Sequence, residues 1–425
     1  MNAKLQEFKL KTKLIFFIYF CNMIFCKKYI FLFFIGLIFF NVSLLGQYVP
    51  AIELTDEYFY KLKNKNVGIL CNNNSKIFER HLIDSLVIEG IKVSKIFTPE
   101  HGFYVDQPDG KKIFNDKYKT VNKNYIQIIS LYGDKYKPTP FDLDNVDIVL
   151  IDLQDVGVRC FTYISTIFYM MDACALKKIP VIILDRANPN GYFIDGPVLD
   201  MQFASFVGVA PIPLVYGMTI GELSMMMNDQ NWLASRERCD LEVIKCQNYT
   251  HDSLIEINFS PSPNLPNMAA IYAYPHLVLF EGTTMSVGRG TDKPFTLLGA
   301  PDFCINDTIF TPISIPEKSI NPPYKNIVCR GIDLTNFSTH FLKYYRKIYL
   351  DLLLESYKCS KEKGDFFILP FFDKLAGTDL LRKQIIQGLT ADQIRASWQK
   401  DLENFMQIRK KYLLYEDFSK ENMDY

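Results

Sequence analysis

The sequence predicts an α/β fold built on a doubly wound, mostly parallel sheet, and three observations predict it. Short apolar runs alternate with amphipathic stretches. Acidic and other polar residues stand directly after those runs. A turn-rich stretch, 259–301, then separates this alternating part from a tail that mixes strands with closing helices.

Taken in order, 67–71 reads as a buried strand, 76–89 as a helix and 91–97 as a second strand. Residues 146–152 form a third strand of the near-continuous apolar kind found in parallel sheets. Residues 162–176 read as a helix, 180–184 as a fourth strand and 241–244 as a further one. Near the end, 390–413 reads as an amphipathic helix. Leu389, Ile394, Trp398, Leu402 and Phe405 fall at helical spacing, and Thr390 is a suitable N-cap. The stretch 259–301 is too polar and turn-forming for a core, so it is expected to line a cleft between two domains. The division expected is 1–46 as a leader, 47–255 as the sheet domain and 256–425 as the second domain.

The leader expectation rests on residues 27–47. A Lys27-Lys28 start, an apolar run over 29–45 and small residues at its end have the form of a signal peptide, with Met23 as a suitable start of translation. An uncleaved membrane anchor is the competing reading, and a membrane is expected as a partner only in that case. The formal charge is zero over the chain. Removing residues 1–46 leaves 41 basic against 46 acidic residues, with no basic face of the sort nucleic acid requires. Ten cysteines are present, two of them, Cys21 and Cys26, in the leader. The other eight form no CxxC pair, and Cys160 and Cys174 sit in apolar sequence as packed thiols. The even count outside the leader permits disulfides without requiring them.

Several chemistries lack their signatures. There is no phosphate loop, and Gly288-Arg289-Gly290 lacks both the third glycine and the strand-to-helix setting of a dinucleotide site. No G-x-S-x-G elbow occurs, and none of the five histidines stands at zinc-ligand spacing. Neither cofactor, nucleotide nor metal is therefore expected.

Carboxylates remain. In open parallel sheets, ligands bind outside the carboxyl ends of the strands. Glu100-His101 follows the second strand, Asp152, Gln154 and Asp155 follow the third, and Asp185-Arg186 follows the fourth. Three acidic clusters are thus expected to converge on one cleft, as glycosidic cleavage requires: one group to protonate the leaving oxygen and another across the ring. Glu100 is the leading candidate, held in a turn because Pro99 stops the strand and Gly102 permits a tight bend. Asp155 and Arg159, four apart, have the spacing of an ion pair, and Asp185 and Arg186 are a second candidate pair. Glu281 is a further carboxylate in a Gly/Thr loop, and Tyr163 and Tyr216 are candidates to stack on sugar.

These motifs together resemble the exo-β-N-acetylmuramidases. The likeness is carried by Pro99-Glu100-His101-Gly102, by Asp152 through Arg159 with Thr162-Tyr163, and by Leu184-Asp185-Arg186 with Asn188-Pro189. Further matches are Tyr216-Gly217-Met218-Thr219, Pro261-Ser262-Pro263-Asn264, Glu281-Gly282-Thr283 and Gly288-Arg289-Gly290-Thr291. The resemblance implies a Rossmann-like domain, a smaller α+β domain and an active-site cleft between them. It implies a glycosidase that releases terminal non-reducing N-acetylmuramic acid (MurNAc) from peptidoglycan fragments such as muropeptides or MurNAc–GlcNAc, where GlcNAc is N-acetylglucosamine, and the leader predicts that this protein is exported to the periplasm or outside the cell. The resemblance points to Glu100 as the acid, with His101 and Asp155 as further catalytic candidates, and leaves the second catalytic group open. The substrate-binding candidates are Asp152, Gln154, Arg159, Tyr163, Asp185 and Arg186, together with Asn188, Asn264, Glu281, Thr283 and Arg289. Three positions depart from the family pattern: Tyr104 stands where an arginine is usual, Ala187 replaces a proline and Thr284 replaces an asparagine. The missing arginine is a natural partner for the lactyl carboxylate of MurNAc. A muropeptide-binding protein without catalysis and a hydrolase of another hexosaminide are the alternatives.

Overall fold

The computed structural model describes residues 46–108, 110–360 and 363–419; the expected leader lies outside these apart from its last residue. Along the chain, β1 (Asn66–Leu70) leads into a hairpin, β2 (Lys76–Ile77) and β3 (Arg80–His81). A helix, Leu82–Ile88, follows, then β4 (Lys92–Thr98), β5 (Asp116–Lys119), β6 (Tyr125–Ser130) and β7 (Ile148–Ile151). The long helix Tyr163–Lys177 precedes β8 (Val181–Leu184), and helix Ile220–Asp229 precedes β9 (Leu241–Ile244).

Seven of these strands form one sheet in the order β5-β6-β4-β1-β7-β8-β9. Every pairing is parallel except the edge pair β5–β6. Helical crossovers join β1 to β4, β7 to β8 and β8 to β9, because a chain must cross the sheet to re-enter it in the same direction; β4 and β6 are joined through the edge strand β5 without a helix. β7 and β8 are buried along their whole length. Their alternate side chains supply opposite faces: Val149, Ile151, Val181 and Ile183 pack with Ile164, Ile167 and Phe168 of the long helix. Ile148, Leu150, Ile182 and Leu184 pack instead with Tyr58, Leu62 and Leu86. This two-sided burial is why these strands read as unbroken apolar runs.

Two local expectations change. The helix expected over 76–89 starts only at Leu82, because residues 76–81 pair as the β2–β3 hairpin. His81 caps the shortened helix, its ring nitrogen accepting from the Ile83 amide at 3.2 Å. The edge hairpin β5–β6 was not expected, since Asp116-Lys117-Tyr118-Lys119 carries no apolar run and lies largely exposed.

The chain then forms helix Met268–Leu277, a three-stranded antiparallel sheet and further helices. The small sheet comprises β10 (Leu297–Ala300), β11 (Thr308–Phe310) and β12 (Cys329–Asp333), ordered β10-β12-β11. Helix Ala391–Arg409 begins with the expected cap. The Thr390 hydroxyl accepts from the Gln393 amide at 3.3 Å, while the Gln393 side chain accepts from the Thr390 amide at 3.0 Å. Ile394, Trp398, Leu402 and Phe405 bury its apolar face in the same core as the long helix. A disulfide joins Cys304 to Cys359, and Cys160 and Cys174 are buried free thiols as expected. No helix of the described residues is long and apolar enough to cross a membrane.

Candidate active site

A cavity of about 650 Å³ opens beyond the carboxyl ends of β4 and β6, a volume within the range of ligand sites. Glu100 lines it, carried two residues past the end of β4. The turn closes through a Gly102 amide to Pro99 carbonyl bond of 3.2 Å, and both His101 and Gly102 adopt positive φ, 69° and 76°. A histidine in that region is strained, so something must hold it. Its Nδ1 lies 2.9 Å from the Gln107 carbonyl and its Nε2 lies 3.0 Å from the Ser262 hydroxyl. A carbonyl only accepts, so Nδ1 carries a hydrogen and, in the neutral ring, Nε2 accepts from Ser262. Both nitrogens are therefore committed to the protein, and His101 fixes the turn that bears Glu100.

The Glu100 carboxyl is met from two sides. The Thr162 hydroxyl donates to one oxygen at 2.5 Å and the Gly110 amide to the other at 3.2 Å. Thr162 is the N-cap of helix Tyr163–Lys177, yet its side chain makes no cap bond; the hydroxyl is given to Glu100 instead. The positive end of the helix dipole thus faces the carboxyl. Tyr163, on the cavity wall, donates to the Pro261 carbonyl at 2.9 Å and accepts from Asn72 at 3.2 Å. Asn264 also lines the wall, donating to the Lys318 carbonyl at 3.0 Å.

Also on the cavity wall, Arg289 grips Glu281 through Nε at 2.6 Å and Nη2 at 2.5 Å, and its guanidinium lies 5.1 Å from the Phe295 ring centre. Thr283 holds this loop, donating to the Phe280 carbonyl at 2.8 Å and accepting from the Met285 amide at 3.1 Å. Buried Tyr274 lines the same cavity and feels both carboxylates. Its hydroxyl is pushed well above the ordinary range by burial first, then by the charge of Glu281, with Glu100 adding to it. Glu100 and Glu281 are the carboxylates, and Arg289 the one lysine or arginine, among the described residues lining the cavity.

The acidic residues after β7 and β8 do not reach this wall, which corrects the expected convergence of three clusters. Asp152 makes a two-bond ion pair with Arg186, each bond 2.7 Å, so the arginine pairs across strands and not with its neighbour Asp185. Asp185 instead accepts from Thr219 at 2.7 Å, the Gly221 amide at 2.9 Å and Tyr415 at 2.6 Å. Burial raises its carboxyl to about 6, against the pull of those donors. Asp155 is likewise buried and raised to about 6 by burial, although Tyr216 and the Gly157 amide both donate to it. Tyr216 is thereby committed in the core, not placed to stack on sugar.

Arg159 makes no ion pair with Asp155. It is fully buried and donates to the carbonyls of Pro197, Ile212 and Leu375 at 2.9, 2.7 and 2.9 Å, and burial lowers it to about 10. Gln154 donates to the carbonyls of Asp155 and Ala187, and Asn188 to that of Met218; both are buried and off the cavity wall. Tyr104 is 51% exposed and absent from the cavity wall. Sequence reasoning missed the functional contacts of Thr162, Gly110 and Ser262. A threonine just before a helix was the available signal for Thr162; the other two depend on loop folding. Among the described residues, no group of three or more His, Cys, Asp and Glu side chains is placed to hold a metal ion.

Comparison with known proteins places the chain in a family. Residues 67–269 match the family model described as "Exo-beta-N-acetylmuramidase NamZ, N-terminal", and residues 272–415 match its C-terminal counterpart. The chain belongs to the exo-β-N-acetylmuramidase family. The peptidoglycan beta-N-acetylmuramidase NamZ of Bacillus subtilis (strain 168) is 35% identical over 383 residues, covering 85% of this chain and 90% of that protein. A crystallised DUF1343 family protein of Bacteroides fragilis NCTC 9343 shares 43% identity with a TM-score of 0.79, over 88% of this chain and all of its own. A second protein of that family from the same organism shares 26% identity with a TM-score of 0.70, over 87% and 99% of the two chains. As a member of this exo-β-N-acetylmuramidase family, the chain is a glycoside hydrolase.

Proposed function

We propose that Glu100 is the general acid with which this muramidase releases terminal, non-reducing MurNAc from peptidoglycan-derived disaccharides or glycans. The observation that carries the reading is a carboxyl in the cavity wall gripped by Thr162 and Gly110. Glu100 gives its proton to the glycosidic oxygen as the bond from C1 to that oxygen breaks. Water supplies hydroxide to C1, and its remaining proton restores the acid. The Thr162 hydroxyl suits both states, because it can donate to the carboxylate and turn to accept from the acid. Glu281, the other carboxylate of the wall, is gripped by Arg289, so the group opposite Glu100 is left unassigned.

The lactyl carboxylate of MurNAc needs a cation. With Arg159 bound to carbonyls and Tyr104 off the wall, Arg289 is the partner. Export is part of the same reading. The basic-then-apolar pattern of residues 27–47 supports it, as does the Cys304–Cys359 disulfide, a bond that persists in oxidising compartments. N-terminal sequencing from the native host should find a start near Gln47, and a retained leader would contradict it. The deciding assay offers purified protein a chromogenic β-N-acetylmuramide beside the matching glucosaminide. Preferential cleavage of the muramide is expected. Equal rates would indicate another hexosaminide, and tight binding without turnover would indicate a muropeptide-binding protein.

A further inference from the structure

The cavity has two unlike ends. At one stand Arg289 and Glu281, whose side chains are only 14% and 18% exposed. At the other stand three rings that no step above has used: Tyr132, Tyr136 and Phe206. Tyr136 lies 4.2 Å from Phe206 and 5.5 Å from Tyr132 between ring centres, and Tyr132 lies 5.6 Å from Phe206. Tyr136 is 39% exposed, so this end opens to solvent.

Contacts connect Glu100 to both ends. Thr162, at the start of the long helix, donates to Glu100, and one turn later Ser165 donates to the Phe206 carbonyl at 2.7 Å. In the other direction Phe161 packs on Tyr274 at 6.3 Å, Tyr274 on Phe295 at 4.9 Å, and Phe295 beneath Arg289. The run of contacts from cation to aromatic cluster therefore passes through the helix start that holds the acid. The cluster is also braced. Gly133, between Tyr132 and Tyr136, adopts φ 106°, and a Cβ there would lie 2.9 Å from the Lys112 backbone. Only glycine makes that bend without strain, and the bend folds both tyrosines onto Phe206.

We propose that Tyr132, Tyr136 and Phe206 form the platform that receives the leaving-group sugar, making the enzyme selective for glycosides whose leaving group is a second pyranose ring. This rests on the reading of Glu100 as the acid. An acid that protonates a glycosidic oxygen stands at the junction of two rings, so one ring lies to each side of it. The anionic muramyl ring belongs at the arginine end, since the faces of aromatic rings are electronegative and repel a carboxylate. The neutral leaving ring then lies on the aromatic end, where its C–H faces pack on the rings and the rest of a glycan can extend outward past Tyr136. A closed charged end and an open aromatic end also suit removal of one terminal residue at a time.

The test compares MurNAc–GlcNAc with β-N-acetylmuramyl azide, whose leaving group has no ring. For Tyr136→Ala, the ratio of kcat/KM on disaccharide to kcat/KM on azide should fall about 3- to 10-fold, the scale of one aromatic contact. Tyr136→Phe, which keeps the ring, should restore the ratio. Inhibition of the wild type by free N-acetylglucosamine should weaken by a similar factor in Tyr136→Ala. An unchanged ratio, including equal losses on both substrates, overturns the platform while leaving the muramidase reading intact. A wild-type enzyme that cleaves neither substrate overturns that reading, and the platform with it.

Discussion

Replacing Glu100 by glutamine isolates the proton from the shape. The carboxyl has two donors facing it, the Gly110 amide at 3.2 Å and the Thr162 hydroxyl at 2.5 Å. A glutamine oxygen can keep the Gly110 bond, and the Thr162 hydroxyl can turn to accept from the new NH₂ group, so no buried donor is orphaned. The fold should therefore lose about 1 kcal/mol or less, and substrate should bind nearly as before. General acid help is worth about 10²–10⁴-fold, or roughly 2.7–5.5 kcal/mol of barrier. Release of MurNAc from the disaccharide, followed chromatographically, should show kcat down by at least about 100-fold with KM little changed. An aryl muramide with a good leaving group needs less protonation and should lose far less. Near-normal turnover of Glu100→Gln on the disaccharide would refute the assignment.

The remaining predictions concern charge. Arg289→Gln should lower kcat/KM for muramides roughly 10- to 150-fold more than for glucosaminides, the equivalent of about 1.5–3 kcal/mol for one charge-assisted bond; equal losses on both would remove Arg289 from lactyl recognition. Tyr104→Arg should leave the muramide-to-glucosaminide ratio of KM values unchanged, because position 104 is exposed and off the cavity wall; a selective fall for muramides would show that the loop closes further than its position here. Asp155 supplies a pH test of stability. Its carboxyl rises from 3.8 to about 6 on folding, through burial opposed by the Tyr216 bond, so the folded state holds a proton that the unfolded chain releases first. That stabilisation is present below about 4 and is lost as pH rises to about 6, so urea unfolding of Asp155→Asn should depend less on pH across this window than the wild type does. Some slope should persist, because Asp185 titrates over the same range, and an unchanged slope would contradict the burial argument.

The parallel sheet was legible because β7 and β8 are covered on both faces, leaving no polar alternation to confuse with a helix. The capped helix at Ala391–Arg409 was legible for the opposite reason, a regular 3.6-residue stripe behind a threonine cap. The β5–β6 hairpin was not, since an exposed edge strand is specified by its partner and not by its own composition. Of the site, Glu100, Asn264, Glu281, Thr283 and Arg289 were legible as polar residues in turn-rich sequence and Tyr163 as a tyrosine at the start of a helix, and all line the cavity. Arg159 shows the limit of spacing arguments. Its position four residues after Asp155 suggests an ion pair, but the intervening segment is no helix, and the guanidinium reaches the carbonyls of distant loops. Chain separations of 38, 53 and 216 residues lie beyond any local pattern.

The strand-end rule of parallel sheets holds here one layer further out than it first suggests. Directly at the strand ends, Asp152 and Asp185 join loops to one another: Asp152 fixes the Arg186 side chain, and Asp185 ties the start of helix Ile220–Asp229 to Tyr415 near the end of the described chain. Both are fully buried. A group so placed cannot touch a glycosidic oxygen, nor recover a proton from water after each turnover. A general acid must do both, so it has to stand beyond that layer, on a segment that reaches open space yet stays fixed. The turn after β4 meets both conditions, with Pro99 ending the strand, Gly102 closing the bend and His101 bolted between Gln107 and Ser262. The strained φ at His101 is the conformational cost of that placement, and its two hydrogen bonds hold the carboxyl at a fixed height above the sheet.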